Sequence, residues 1–377
     1  AEIFRRVNSG GQNLNENNFV ETLLAVYDND VHDKIGKFCS ASRIAAAGTS
    51  YNQIIDAQPS HLIRMAVGLG FHRARLKYAY KLLRGKDLET GVISDETRDK
   101  NIGIFKTALE KVTDLNNWHS FLNLFAEAGY LNKSLVASNY VVVFSYVLYL
   151  LGKDEYKVQP IELRKVITRW IFMTTVTSFY SNSPESTVER QLADLRSIKS
   201  ASDFVEYLNQ TIKQKMNDSY FNVELINDLT SSAASSPVWY GYIASINVLG
   251  TPMLFSNTPL SKYWVLGSDG MKKAIDKHHI FPKQHLADIG IPDDRDRNQL
   301  ANFTYIDYNT NIDISDDAPA LYVERYKAKL GEEGYAKACA ENALPQNFET
   351  LGYFEFLAER RVLMAGIIRK AFEKLWK

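Results

Sequence analysis

Apolar residues recur at helical intervals through the middle of this chain, and that spacing constrains the fold more than any other feature. In residues 101–130 the polar sequence is interrupted by Ile104, Leu109, Val112, Leu115 and Phe121. Residues three and four apart share one face of an α-helix, so the pattern predicts amphipathic helices packed on a core. Similar spacing predicts further helices over residues 15–27, 59–84, 161–180, 185–198 and 201–216.

The amino-acid composition of the sequence changes near residue 231. The run Ser-Ser-Ala-Ala-Ser-Ser-Pro at 231–237 is linker-like, and residues 238–255 are rich in aromatic residues, β-branched residues and glycine, the composition of strands and turns. We therefore predict a boundary between 220 and 240, with one domain over 1–230 and another over 231–377. The expected fold class is mainly α with a small α+β part.

A histidine doublet stands in the second predicted domain, within Asp276-Lys277-His278-His279-Ile280-Phe281-Pro282. Adjacent residues of a strand point to opposite faces, so the two imidazoles cannot easily share one role. Two imidazoles serve a divalent metal and a water best when one ligates the metal and the other accepts a proton. The adjacent positions therefore predict that one histidine ligates a metal and the other accepts a proton.

Two asparagines follow the doublet at suggestive positions. Asn302 lies 23 residues after His279 in a segment, 299–306, that reads as a short strand, and Asn311 comes nine residues later. Asn309 competes with Asn311, since both stand in Asp-Tyr-Asn-Thr-Asn. Asparagine is also common in turns for its own backbone hydrogen bonds, so the asparagines alone carry little weight.

A helix is predicted over 318–330, with Pro319 in its first turn and Gly331 just past its end. The order is then strand, loop, strand and helix. An HNH, or ββα-metal, nuclease site requires that order. The fuller expectation is a long helical region followed by a ββα-metal domain and a C-terminal helix.

The chemistry of phosphodiester hydrolysis assigns roles to these residues. His279 is the predicted general base, because a histidine exchanges protons near neutral pH. His278 and Asn311 are the predicted metal ligands, a weakly charged set compatible with Mg²⁺ or Mn²⁺ when water and phosphate complete the shell. Asn302 would not touch the metal, and its amide would tie the loop so that the base points at the scissile phosphate.

Residues from about 255 to 377 resemble the HNH nuclease half of GmrSD-type restriction proteins. The resemblance rests on the His-Ile-Phe-Pro run, the strand led by Asn302, the following Asn, and Phe354 to Arg361 within a long amphipathic helix. Independently, Ile3 to Leu14 is similar to the Phe-Arg-Asn-Gly-Gly segment of the ParB-like nucleotide-using module that precedes the nuclease in that family.

The resemblance implies a restriction endonuclease for phage DNA with modified bases or backbone. The Asp-Gly-Gln-Gln-Arg signature of the ParB-like module is absent from these residues, and we expect it on an upstream part missing from the chain. A nucleoside triphosphate is implied only through that part. The alternative is a nucleic-acid-binding or regulatory protein with an inactive HNH domain, while a toxin-like nuclease is disfavoured by the long helical region.

The charge balance limits how DNA could be bound. Lys and Arg together number 44, as do Asp and Glu, so phosphate contacts must come from local clusters. The predicted DNA contacts are Lys277 and Lys283, which flank the doublet with Lys272 and Lys273. Two other clusters are read as solvated helix faces: Arg64, Arg73, Arg75 and Lys77, and Arg360, Arg361, Arg369 and Lys370.

The sequence also bears on the cellular location of the protein and on its assembly. The two cysteines, Cys39 and Cys339, stand in no Cys-x-x-Cys pair, which favours a reducing compartment and disfavours structural zinc. The most apolar run, 140–151, reads as a buried helix or strand and is too short to cross a bilayer. We expect a cytoplasmic protein with no membrane partner, and an oligomer is compatible with the sequence.

Overall fold

A computed structural model of the chain describes residues 29–43, 54–233, 235–265 and 275–377. It is 68% helix and 4% strand, with one two-stranded antiparallel sheet in the described part. The chain is therefore mainly α with a small sheet, as its sequence predicts. The segment similar to the ParB-like module, the predicted helix at 15–27, and Lys272 and Lys273 lie outside the described residues.

The described residues divide into two compact units. The first contains residues up to Asn123 together with Ser138–Ile167 and Tyr180–Leu208, and the second contains Leu124–Ala137, Thr168–Phe179 and Asn209–Lys377. The division at residues 230 and 231 stays a prediction of the sequence.

Helices dominate the described chain up to Lys215. They are α1 (Asn29–Ala41), α2 (Pro59–Phe71), α3 (Leu76–Leu83), α4 (Asp95–Val112), α5 (Leu115–Glu127), α6 (Asn139–Leu150), α7 (Pro160–Val176), α8 (Pro184–Leu195) and α9 (Ala201–Lys215). The pattern over 59–84 is two helices, because His72 adopts a left-handed conformation with φ of 49° and ends α2. The pattern over 101–130 is also interrupted, since the Asp114 side chain accepts the N–H groups of Asn116 and Asn117 and starts α5.

The apolar run at 140–151 is a buried helix, α6, which begins where the Ser138 hydroxyl accepts the N–H of Tyr140. It continues into a π-helical turn, Leu151–Glu155. A Cβ on Gly68 would lie 3.0 Å from Cγ2 of Val147, so α2 and α6 approach closely at that glycine. A larger side chain at position 68 would therefore push against Val147.

One predicted solvent-facing cluster is partly buried instead. Arg64 is 8% exposed and forms an ion pair with Glu185, while Arg73 pairs with Glu189 at 2.8 Å. Both arginines are neutralised within the first unit, so the prediction of a solvated face is wrong for them. A buried charge is tolerated because it is paired.

The second unit continues the chain with further helices and the sheet. The α-helices and strands that it contains beyond Lys215 are α10 (Leu225–Asp228), α11 (Pro237–Leu249), α12 (Ser261–Val265), β1 (Ile275–His279), α13 (Lys283–Asp288), α14 (Asp294–Arg297), β2 (Phe303–Asp307), α15 (Tyr308–Ile314), α16 (Pro319–Glu341) and α17 (Tyr353–Lys374). The strand-like composition over 238–255 is misleading, because most of it forms α11. Pro237 lies in the first turn of α11 and Gly250, with φ of 72°, ends it. The bulky residues of α11 fill a core, and burial outweighs their strand propensity.

The C-terminal helices hold the sheet in place. The helix predicted over 318–330 is the first part of α16, which breaks at Gly331, where φ is 72°, and then resumes. Arg360 of α17 is fully buried and donates to the carbonyl oxygens of Ala301 and Phe303, at 2.6 and 2.8 Å. Arg360 therefore fixes the start of β2 and is not part of a solvated face, which corrects the sequence-based expectation.

Across the described ranges, no helix combines the length and the apolar character that crossing a membrane requires.

Candidate active site

The doublet lies at the end of β1, which pairs with β2 in antiparallel register. His278 is opposite Thr304 and His279 is opposite Phe303. The contacts of the two imidazoles differ, since His278 meets Asn311 of α15 whereas His279 packs on the Phe303 ring with centroids 4.5 Å apart. Neighbouring histidines thus have separate surroundings, as strand alternation requires.

The helix beside the two strands is α15, which follows β2 without a loop. The Asp307 carboxylate starts it by accepting the N–H of Thr310 at 3.0 Å and its hydroxyl at 2.8 Å. Sequence analysis assigned the third element to 318–330 and missed α15. The available signal was an Asp three residues before a Thr, an N-cap arrangement that can start even a seven-residue helix.

A chain of polar contacts joins β1 to α15. The Nδ1 atom of His278 lies 2.9 Å from Oδ1 of Asn311, and Nδ2 of Asn311 donates to Oδ2 of Asp276 at 3.1 Å. Because the carboxylate accepts from the amide nitrogen, the amide oxygen is turned towards His278. Asp276 was not predicted as a site residue, although its position two residues before His278 on one strand face was a signal.

Burial controls the protonation of His278. The residue is 7% exposed, and burial lowers its pKa to about 4, with a smaller lowering from His279 and an opposing effect of the Asn311 contact. Its Nε2 atom is buried and has no hydrogen-bond partner among the described residues. The ring is therefore neutral at pH 7, and only a neutral imidazole can ligate a metal.

His279 is held by a residue that sequence analysis did not identify. Its Nε2 atom lies 3.0 Å from Oδ1 of Asn298, which ends α14. The pKa of His279 is lowered by burial and, to a smaller extent, by the positive charges of Lys283, Lys277 and Arg297, while the Asn298 contact opposes them. No local pattern marks Asn298, because its contact depends on how the chain between β1 and β2 folds back.

Asn302 is fully buried in a 3₁₀ turn, Leu300–Asn302, immediately before β2 rather than within it. Its Oδ1 atom accepts the N–H of Phe281 at 2.8 Å. Its Nδ2 atom donates to the carbonyl oxygens of Phe281 and Arg297, at 3.1 and 3.0 Å. One amide thus joins the segment that follows His279 to the segment that precedes Asn298.

A cleft of about 490 Å³ opens beside the doublet, lined by both histidines, Asn311, Lys277, Lys283 and Asp316 among others. Nζ of Lys277 lies 3.8 Å from the Phe303 ring centroid, and burial lowers the pKa of this amine. Lys283 is more exposed and lies 3.3 Å from Asp294. Three cations therefore act on His279, of which Lys283 and Arg297 pair with Asp294. The Asp276 carboxylate contacts Asn311.

The two asparagines of the Asp-Tyr-Asn-Thr-Asn segment have different environments. Asn311 is half-buried and lines the cleft, whereas Asn309 is exposed. In the described part of the chain, no group of three or more His, Cys, Asp and Glu side chains is placed to hold a metal ion. A metal at this cleft would rely on an amide oxygen and an imidazole.

A second cleft, of about 510 Å³, lies in the first unit. It is lined by residues of α2, α4 and the π-helical turn. The Asp154 carboxylate there lies 3.2 Å from Lys111, and Glu155 lies 3.0 Å from His72. These carboxylates are already paired, so the cleft at the doublet is the better candidate for chemistry.

No family model matches this chain, and no curated protein sequence matches it either.

Proposed function

We propose that this chain is a metal-dependent DNA endonuclease of the HNH, or ββα-metal, type. One observation carries the proposal: His279 and the His278–Asn311 pair meet at one cleft, supplied by two antiparallel strands and the helix that follows them. In this proposal His279 is the proton acceptor, and His278 and Asn311 contribute two uncharged donor atoms. The chemistry that uses this combination is hydrolysis with a metal-activated phosphate.

The donor atoms fit a small divalent cation. Nδ1 of His278 and Oδ1 of Asn311 are 2.9 Å apart. Adjacent ligands of an octahedral ion bound at about 2.1 Å are about 3.0 Å apart. His278 and Asn311 would hold Mg²⁺ or Mn²⁺ with His278 in its Nε2–H form, because the Nδ1 proton that Asn311 accepts here must leave before Nδ1 can ligate an ion. The Asp276 carboxylate would orient the amide from behind. When bound, the ion supplies positive charge beside the phosphate oxygens.

His279 acts as the general base in this proposal. Burial and three nearby cations keep its pKa below the usual value of 6.5, so the ring is neutral and ready to accept a proton at pH 7. Its own burial against Phe303 and its contact with Asn298 limit its rotation. Removing a proton from water next to the scissile phosphate generates the attacking hydroxide.

DNA is the proposed substrate, with Lys277 and Lys283 as phosphate contacts. Both line the cleft on the side of His279. Lys283 is the more available of the two, because its side chain is 42% exposed, whereas Lys277 is held against Phe303 and Trp239. Rim cations of this kind bind backbone phosphate without reading sequence.

The biological task rests on the resemblance to GmrSD-type restriction proteins alone. It would be the restriction of modified phage DNA in the cytoplasm, with the nucleoside triphosphate that the ParB-like module of that family uses. The low number of cysteines suits that reducing compartment.

Cleavage of DNA by the chain tests the proposal. Plain and glucosylated DNA are incubated with Mg²⁺ or Mn²⁺ and wild type, His279→Ala or His32→Ala, the last a control at an exposed histidine of α1. We expect metal-dependent cutting by wild type and His32→Ala and its loss in His279→Ala. Equal cutting by all three proteins contradicts the proposal. Wild type that binds DNA and leaves it intact also contradicts it, and favours a regulatory protein with an inactive HNH domain.

A further inference from the structure

The loop that carries Asn298 is held by four hydrogen bonds, two on each side of this residue. The contacts are Tyr353 Oη to the Asp296 carbonyl at 2.7 Å, Asn302 Nδ2 to the Arg297 carbonyl at 3.0 Å, Arg361 Nη2 to Gln299 Oε1 at 2.6 Å, and the Leu300 N–H to the Ser231 carbonyl at 2.9 Å. The backbone N–H of Asn298 itself donates to the Asp294 carbonyl at 3.0 Å. Asn298 therefore has little freedom to move away from His279.

The contact between Asn298 and His279 specifies which ring nitrogen keeps a proton. An amide oxygen only accepts hydrogen bonds, so Nε2 of His279, 3.0 Å from Oδ1 of Asn298, must be the donor. In the neutral ring the second nitrogen, Nδ1, then carries the lone pair. The same Nε2–H bond persists when Nδ1 gains a proton, so the ring need not reorient during a proton transfer.

We infer that Asn298 is a positioning residue that holds His279 in the Nε2–H form, leaving Nδ1 as the atom that accepts the proton from water. The inference rests on the proposed nuclease function for its consequence and on the contact itself for the tautomer. Asn298 touches neither substrate nor metal in this account, and it acts only through His279.

The side-chain amides of Asn311 and Asn298 contact different ring nitrogens of the two histidines. Asn311 meets Nδ1 of His278, whereas Asn298 meets Nε2 of His279. The neighbouring rings are thus held through opposite nitrogens. The Asn298 contact raises the pKa of His279, but burial and the nearby cations outweigh it, and a carboxylate in the same place would stabilise the imidazolium more strongly. Asparagine therefore suits a residue that orients the base without adding a negative charge beside it.

The tautomer can be observed without any nuclease assay. Histidine labelled with ¹⁵N in the ring is incorporated into the full chain, which has seven histidines, and the His279 signals are identified by their loss in His279→Gln. At about pH 8 we expect a pyrrole-type Nε2 with a slowly exchanging proton and a pyridine-type Nδ1. A proton on Nδ1 of His279 in the wild type overturns the inference.

Variants of similar size separate the hydrogen bond from packing. Asn298→Leu removes the acceptor and should make the Nε2 proton exchange at least about tenfold faster, the effect of losing one hydrogen bond. Asn298→Asp keeps an acceptor oxygen and should retain the slow exchange. Asn257→Leu, at an exposed position of the second unit, is the matched control and should leave the His279 signals unchanged. Slow exchange that survives in Asn298→Leu contradicts the inference.

Cleavage kinetics supply the functional consequence. Asn298→Leu should lower kcat about tenfold, with the KM for DNA and the dependence on Mn²⁺ concentration unchanged, whereas Asn257→Leu keeps the wild-type kcat. An unchanged kcat in Asn298→Leu contradicts the positioning role. If the wild type cuts no DNA, the proposed nuclease function fails, while the ring-nitrogen signals still decide whether Asn298 sets the tautomer.

Discussion

Nδ1 of His278 and Oδ1 of Asn311 lie 2.9 Å apart, although 33 residues separate them in the chain. The pair exists because β1 and β2 align and α15 starts immediately after β2. Asp276 accepts from the same amide, so its orientation does not depend on the histidine alone. In the proposed function, this prior orientation of His278 and Asn311 would limit the freedom that they lose on binding a metal.

Replacing Asn311 by Ala should weaken Mn²⁺ binding without unfolding the protein. The change removes one donor and the amide that Asp276 orients, and we expect about a tenfold to 100-fold loss of affinity. Titration of Mn²⁺ followed by electron paramagnetic resonance measures it, with Asn309→Ala as the matched control on the same helix. Unchanged affinity in Asn311→Ala, or a loss confined to Asn309→Ala, moves the ligand away from Asn311.

Stability should fall in acid because His278 is buried in its neutral form. Its pKa is about 4 in the folded chain and about 6.5 when unfolded, so the unfolded state binds more protons between these values. The stabilisation is complete above pH 6.5 and is lost as the pH falls towards 4, by about 3 kcal/mol.

Urea unfolding of wild type and His278→Asn across that pH range isolates this contribution. The difference in unfolding free energy between the two should change with pH in the direction stated. A difference that stays constant from pH 7 to pH 4 shows that burial does not control the protonation of His278.

Cleavage should persist in mildly acidic solution. The general base must be neutral, and burial together with Lys283, Lys277 and Arg297 lowers the pKa of His279 below 6.5. As the pH falls, kcat/KM at saturating Mn²⁺ should therefore reach half of its maximal value below pH 6.5. A half-maximal value at or above pH 6.5 would show that burial and the cations do not lower the pKa of the base.

Asn302→Ala should destabilise the second unit. The amide is fully buried and makes three hydrogen bonds with backbone groups of Phe281 and Arg297. Its loss leaves those groups unsatisfied, and we expect a decrease of about 2 to 4 kcal/mol in the free energy of unfolding. Urea unfolding measures the change, and Asn309→Ala, at an exposed position, should alter stability by no more than about 0.5 kcal/mol. Equal effects of the two substitutions would contradict the structural role assigned to the hydrogen bonds of Asn302.

Sequence periodicity predicted the helices well because burial in a helical protein repeats with the helix turn. The interruptions at His72 and Asp114 escaped it, since a backbone conformation and a side-chain cap leave no apolar signature. The helix α11 escaped it for a different reason: it is buried on most sides, so its aromatic and β-branched residues show no amphipathic alternation with polar ones.

The residues of the candidate site also differ in whether the sequence alone could predict them. The histidine doublet, Asn302 and Asn311 could be selected as candidates from residue type and spacing alone. Asp276 could have been predicted from strand alternation, since it lies two residues before His278. Asn298 could not, because its contact with His279 depends on how a short helix and a 3₁₀ turn fold back. Contacts made by irregular segments between two strands depend on tertiary structure rather than on a local pattern.

Hydrolysis of a small phosphodiester tests the central claim most directly, because it needs the cleft and no recognition of DNA. Bis(p-nitrophenyl) phosphate is incubated with Mn²⁺ and wild type, His279→Ala or the control His32→Ala, and p-nitrophenolate is followed by absorbance. We predict metal-dependent release by wild type and His32→Ala, and a rate at least about 100-fold lower for His279→Ala. Release at the same rate by His279→Ala, or release that continues when the metal is chelated, would contradict the account.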